Sequence, residues 1–266
     1  MNIVKFKKLK NGMYEVELDD EKVILYDETI LKFNLLTKKT LEKTELEKIK
    51  TFNEEIKCYK KSLKYLSLRL RSKNELEKYL KRFKFENKDI KKTIKRLTEE
   101  GYLNDKNFAI AYLNTQLALT NKGPLKIKEE LLSHEISEDI IFEVLAKYDK
   151  NLEKEKIISI IDKSIKTNKS FPVYKLKEKI FLNLLNKGFS KDLVETIINS
   201  YDFLVDEEKE YKLLKKKAEK ILKRLSKKYK SYELLKRLKT SLYNSGFQVE
   251  LINRFIEEGD FNEKSF

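Results

Sequence analysis

Apolar and polar positions alternate with a period of two at the start of the chain and with a helical period after it. The run IVKFKKL alternates, and Asn11-Gly12 follows as a strong hairpin signal. Tyr14, Val16 and Leu18 then alternate with Glu15 and Glu17, Asp19-Asp20 forms a second turn, and VILY at 23–26 reads as a third strand. Three short strands with one apolar face make a small antiparallel meander that must pack on something else. Asp27 is placed to cap a short helix over ETILKFNLL, and Thr40 to cap a second beginning LEKTELEKI. From about residue 55 the period is helical throughout. Tyr59, Leu63, Leu66 and Leu70 share one helical stripe, with Lys57, Lys60, Lys61 and Lys64 off it. Ser72 opens SKNELEKYL with Glu75 three residues on, a capping box ahead of Leu76, Tyr79, Leu80 and Phe83. Asn87 is placed to cap a further helix carrying Ile90, Ile94 and Leu97 that stops near Gly101.

This unit recurs. Segments 72–97, 123–148, 173–201 and 231–259 each read as an amphipathic helix, a short break with one apolar residue, and a second amphipathic helix. The break residues are Phe85, Ile136, Phe189 and Phe247, spaced 51, 53 and 58 apart. Gly188 and Gly246 precede the last two, as expected where a chain leaves a helix in the left-handed conformation. Further helices, at 55–70, 106–120, 151–167 and 206–229, precede the pairs, and Pro124 and Pro172 fall at helix starts. The expected architecture is mainly α: tandem three-helix repeats in an elongated, curved array behind a small N-terminal antiparallel β meander. The divisions fall at 1–54 for the meander and short helices, then 55–104, 105–149, 150–203 and 204–266 for four repeats.

Charge adds a partner class. Among 266 residues, 59 Lys+Arg face 44 Asp+Glu for a net +15, and the excess is not spread evenly. Residues 1–54 are neutral, 57–97 carry +12 and 211–240 carry +11, leaving the remainder mildly acidic. Two basic blocks far apart in sequence point to a polyanionic partner, nucleic acid or a nucleoprotein. With one Cys, a disulfide framework and a multi-cysteine zinc site are excluded. No stretch reaches the roughly 18 apolar residues of a membrane span, and the first twenty residues do not read as a signal peptide. A cytoplasmic, monomeric protein is expected.

Catalytic signals are missing. There is no GxxxxGK[ST], GxGxxG, HExxH or GxSxG. His134, the only histidine, reads as a surface or capping residue, Cys58 as a semi-buried thiol, and Asp105 as the N-cap of the helix over 106–120. Asp206-Glu207-Glu208 reads as a helix N-terminus complementing the macrodipole. Tyr59, Tyr65, Tyr79, Tyr211 and Tyr229 lie in or beside the basic blocks, where core packing is favoured over stacking on bases. No enzyme, cofactor or metal is expected. The candidate partner- or DNA-binding residues are Lys57, Lys61, Lys64, Arg69, Arg71, Lys122, Lys216, Lys220, Lys223, Arg224 and Lys227.

Three stretches carry a family resemblance. They are LSLRLRSKNELEKYL with Arg71-Ser72 and Glu75-Leu76; LTEEGYLNDKNFAIAYL with Gly101, Tyr102, Leu103, Asp105, Phe108 and Ala109; and TNKGPLKIKEELL with Lys122, Gly123, Pro124, Ile127, Glu130 and Leu131. Together they resemble the RecX family of recombinase regulators. The chain departs from that pattern at His134-Glu135, where the family often has Lys-Gly, and at Asn104-Asp105, where it often has paired aspartates. The β-rich start and the added C-terminal helices resemble the longer members. The resemblance implies a non-enzymatic protein that binds the RecA–single-stranded DNA filament and modulates, most often inhibits, its ATPase, strand-exchange and co-protease activities. On the residues alone, a helical protein that binds single-stranded DNA or RNA without a recombinase stands as the alternative.

Overall fold

The structure is a computed structural model that describes residues 1–168, 170–204 and 206–259; the last residues of the expected fourth repeat, 260–266, lie outside the described residues. The N-terminal meander forms as the alternation predicts. Strands β1 (Ile3–Lys8), β2 (Met13–Leu18) and β3 (Lys22–Tyr26) pair antiparallel in the order β1-β2-β3, with Phe6 opposite Val16 and Tyr14 opposite Leu25. Asn11 and Gly12 both take positive φ, 57° and 69°, the signature of a type I′ hairpin turn. Val16, Leu18, Val23 and Leu25 are buried on one face with Ile30, Leu35, Leu46 and Ile49 beneath them.

Two helices at the start depart from expectation. Helix α1 (Asp27–Lys32) begins at Asp27 rather than after it, and α2 (Lys43–Leu66) follows Glu42, with no side-chain cap on either, so Asp27 and Thr40 are not caps. More consequentially, α2 is one 24-residue helix that runs through residue 54. Its buried positions Leu46, Ile49, Asn53, Ile56 and Tyr59 keep helical spacing with no Gly or Pro to interrupt them, so nothing breaks the helix where separate helices were expected. Its N-terminal half serves the sheet. The Asn53 Oδ1 accepts from the Tyr26 N–H at 2.9 Å and its Nδ2 donates to the Ile24 carbonyl at 3.0 Å, which caps the end of β3. The helix stops at Leu66, so Leu70, expected on the apolar stripe, is instead 54% exposed.

The rest is helical: α3 (Lys73–Lys81), α4 (Asn87–Glu99), α5 (Asp105–Leu119), α6 (Pro124–Ser133), α7 (Glu138–Leu145), α8 (Lys150–Thr167), α9 (Val173–Asn186), α10 (Lys191–Ser200), α11 (Glu207–Leu225), α12 (Ser231–Asn244) and α13 (Val249–Glu258). Grouped as α2–α4, α5–α7, α8–α10 and α11–α13, they are tandem three-helix repeats. The first, third and fourth show continuous cores, such as Tyr59, Leu76, Leu80, Ile90 and Leu97 in the first. Each fully buried aliphatic side chain of this kind contributes about 1.5–3 kcal/mol. The chain forms two compact units, Met1–Asn114 with Glu130–Val144, and Thr115–Glu129 with the chain from Leu145 onward.

The repeats share local chemistry beyond their apolar pattern. The residue before each break residue is left-handed in all four: Lys84 (φ 59°), Glu135 (57°), Gly188 (86°) and Gly246 (91°). In the last three, the break residue's N–H donates back five residues (Ile136 to Leu131, Phe189 to Leu184, Phe247 to Leu242), which is a Schellman end. Ser72 forms its capping box with Glu75 as expected. Asn87 is the first helical residue of α4 and not its cap. In the first repeat, the Tyr59 hydroxyl donates to Glu100 at 2.6 Å while Arg96 covers the ring and pairs with Glu100. The fourth repeat builds the same set from Tyr211, Glu258 and Arg254.

Neighbouring repeats are tied through helix ends. The Gly123 N–H donates to the Lys187 carbonyl at 2.7 Å and the Leu125 N–H to the Gly188 carbonyl at 3.0 Å, so the start of α6 sits on the C-terminal end of α9. The start of α9 also approaches the end of α12 closely, with Lys175 lying against Gly246. The first helix of each later repeat adds a polar tie. Asp105 accepts from the Lys73 N–H at 3.0 Å, Lys156 donates to the Leu117 and Thr120 carbonyls at 2.8 and 2.7 Å, and Glu210 accepts from the Val173 N–H at 3.1 Å. Asp105 is therefore not the cap of α5. That role falls to Asn104, whose side chain accepts from the Asn107 N–H, while Asp105 reaches back to α3.

Candidate polyanion-binding surfaces

On α2 the positions 57, 60, 61 and 64 are spaced i, i+3, i+4 and i+7, which places four lysines on one helix face. They line a groove of about 630 Å³ together with Phe83 and Phe85 from the α3–α4 connection and Asn11, Met13 and Tyr26 from the sheet. Lys57 is exposed and pairs with Glu54 at 3.1 Å, Lys60 pairs with Glu28 at 2.8 Å, and Lys61 lies 3.4 Å from the centre of the Phe83 ring. Phe83 is 47% exposed. Behind it runs a ladder of rings: Phe83 meets Tyr79 edge-on at 5.0 Å, Tyr79 stacks flat on Tyr65 at 3.8 Å, and the Arg71 guanidinium covers Tyr65 at 4.2 Å. Arg69 is exposed but grips Glu75 with two donors, at 2.6 and 3.2 Å. Burial acts to raise the Glu75 carboxyl, yet the Arg69 guanidinium and the Ser72 N–H together hold that carboxyl below its ordinary range. Arg69 and Arg71 are thus committed within the protein, whereas Lys57, Lys61 and Lys64 face the groove.

The second basic block lies in the other unit. Lys216, Lys217, Lys220, Lys223, Arg224 and Lys227 are exposed, and none of them pairs with a carboxylate among the described residues. Lys216, Lys220, Lys223 and Lys227 form one stripe at i, i+4, i+7 and i+11, opposite the buried Tyr211, Leu214, Ala218 and Ile221. Lys223 and Arg224, in the last turn, also suit the helix dipole. Lys216, Lys217 and Lys220 open onto a groove of about 530 Å³ whose far wall is Phe171, Pro172 and Lys175 from the start of α9 and Phe247 at the end of α12. Lys122 stands apart from both grooves. It is half-buried and already partnered, and its carbonyl accepts from the Tyr148 hydroxyl at 3.1 Å.

Several of the residues lining these grooves were not among the candidates read from the sequence. Lys60 and Lys217 share helix faces with Lys57, Lys61, Lys64, Lys216 and Lys220, so spacing alone would have found them. Lys175 and Phe171 reach their groove only through the packing of one repeat on the next, which no local pattern encodes.

The remaining singular residues are structural. Cys58 is fully buried and burial pushes its thiol up. His134 lies edge-on to Phe108 and Tyr112, at 5.2 and 5.6 Å. Tyr59 and Tyr211 are core residues, while Tyr65 and Tyr79 pack at the rim of the first core. No described helix is long and apolar enough to cross a membrane.

Comparison with known proteins agrees with this layout. Residues 58–97 match the family model for the first three-helix domain of RecX, and 104–145 that for the second. The protein named Regulatory protein RecX of Lactococcus lactis subsp. lactis (strain IL1403) is 31% identical over 98% of this chain and 99% of its own length. The protein of that name in Bacillus subtilis (strain 168) is 30% identical over 96% and 97%. Among solved structures, a regulatory protein RecX superposes with a TM-score of 0.66 at 24% identity, covering 75% of this chain and 99% of that one. RecX from Lactobacillus salivarius superposes at 0.52 with 32% identity, covering 55% and 95%. With near-complete coverage of both sequences, the chain belongs to the RecX family of regulatory proteins.

Proposed function

We propose that this protein regulates the RecA recombinase by binding the RecA–single-stranded DNA filament, and that it lowers the filament's ATP hydrolysis, strand exchange and co-protease activity without catalysing a reaction itself. The observation that carries this reading is the α11 stripe: six exposed cations, none in an ion pair with a carboxylate among the described residues, on a rigid helix with its apolar side in the core. Uncompensated charge held on a rigid scaffold is a standing electrostatic attraction for a polyanion. The filament offers two such surfaces, DNA phosphates and acidic protein, and a second basic face on α2 adds avidity without a new kind of contact.

The test is to reverse Lys216, Lys220, Lys223 and Arg224 to Glu and measure binding to RecA filaments against salt. Affinity should fall, and the dependence of log K on log salt should flatten by about 3 if four strand phosphates are lost. Unchanged affinity and slope would refute the role of this block. A second reading is favoured by the exposed phenylalanines beside both lysine clusters: a binder of naked single-stranded DNA or RNA. It predicts that all activity follows occupancy of the bare strand.

A further inference from the structure

The groove between α2 and the sheet combines features that simple charge attraction does not call for. Its four lysines span about 10 Å of helix, the reach of about three phosphates at the spacing of a stacked strand. An acidic peptide would be satisfied by that row alone. Here the row faces Phe83 and Phe85 of the α3–α4 connection, and Phe83 is half exposed. Its ring is held from behind by the ladder through Tyr79 and Tyr65 to Arg71, so its orientation is fixed before any ligand arrives. Its cationic cover is Lys61, a flexible side chain without a carboxylate partner among the described residues. A base displacing that ammonium would gain a fixed aromatic platform, and the freed ammonium would be next to the phosphate of the same nucleotide. Stacking on a ring is worth more than an exposed cation–π contact, so the exchange runs toward the bound strand.

We propose that this groove is a binding site for single-stranded nucleic acid, with Phe83 stacking a base, Lys57, Lys61 and Lys64 holding the adjoining phosphates, and Arg71 acting as a positioning residue through the ring ladder. The sheet acquires a function in this assignment. It carries no net charge, yet Asn11, Met13 and Tyr26 form the wall that turns a lysine face into a groove. The site extends the filament reading to a specific strand contact, and it is tested on naked strand so that the two can fail separately.

The experiment uses the full chain with Lys216, Lys220, Lys223 and Arg224 changed to Gln, which silences the other basic face. Fluorescence anisotropy is recorded with a short labelled oligothymidylate and with an abasic strand of equal length and charge. Phe83→Ala should weaken oligothymidylate binding about tenfold and leave the abasic strand unaffected, while Phe83→Trp restores binding. Changing Lys57, Lys61 and Lys64 to Gln should weaken both strands equally and flatten the salt slope by about 2. Equal losses on the two strands for Phe83→Ala, or no loss on either, would overturn the proposal. So would competition by poly-glutamate as effective as oligothymidylate, which would assign the groove to an acidic protein. Failure of the wild-type protein to act on RecA filaments would overturn the filament reading and leave the strand contact standing.

Discussion

Replacing Gly188 by alanine tests how the repeats are joined. At first sight the glycine answers a backbone requirement, since φ is +86°. Yet Lys84 and Glu135 hold the same left-handed position in the first two repeats with full side chains. What distinguishes residue 188 is its neighbour. A Cβ there would lie 2.2 Å from the Lys126 backbone nitrogen and 2.5 Å from the Lys126 Cβ. Relief requires the start of α6 to retreat by more than 1 Å, which breaks the bonds from the Leu125 N–H to the Gly188 carbonyl and from the Gly123 N–H to the Lys187 carbonyl. Left-handed strain in a non-glycine residue costs about 1–2 kcal/mol, and the two bonds about 1 kcal/mol each, so the total is about 3–4 kcal/mol. Gly101 supplies the control, because its φ is +80° but no atom lies within 4 Å of a Cβ built there. Gly101→Ala should cost only the strain, about 1–2 kcal/mol. Urea denaturation followed by circular dichroism measures both variants. Equal losses would refute the argument, since they would mean that conformation and not contact requires glycine at 188.

Two further outcomes follow from buried and paired charges. Lys156→Met leaves the Leu117 and Thr120 carbonyls without their donor and should cost about 1–3 kcal/mol in urea denaturation, whereas Lys156→Arg should recover part of it. The Glu258 carboxyl is held down to about 2 by the Tyr211 hydroxyl and then by Arg254. A depressed folded-state pKa gives stability that is fully present above the ordinary carboxylate value of about 4.5 and is lost as pH falls through about 2. The difference in melting temperature between wild type and Glu258→Gln should therefore be largest above pH 5 and shrink toward pH 2. A difference constant across that range would contradict the pairing.

Much of the fold was legible because its signals are local. The Asn11-Gly12 hairpin, the Ser72 capping box and the break residues at 85, 136, 189 and 247 each depend on a few adjacent residues, and the structure forms all of them. The errors share one cause. Asp27, Thr40, Asn87 and Asp105 are all good capping residues by type, but a helix start is decided by where the chain enters from, and Asp105 turned out to serve α3 across a repeat junction. The break expected near residue 54 failed because α2 belongs to two cores at once, and its apolar spacing runs through both. For the surfaces, charge counting located the lysine faces. The aromatic walls opposite them arise from tertiary packing, which is why Phe83 reads from the sequence only as part of an apolar helix face and Phe171 and Lys175 do not stand out.

The central claim is regulation at the level of the filament, and DNA-dependent ATP hydrolysis by RecA on single-stranded DNA tests it most directly. Wild-type protein added at a small fraction of the RecA concentration should suppress hydrolysis, and the variant with Lys216, Lys220, Lys223 and Arg224 reversed to Glu should require far more protein for the same effect. Competition for bare DNA needs enough protein to cover it. Suppression that appears only at DNA-saturating amounts, or that is the same for the reversed variant, would contradict the account.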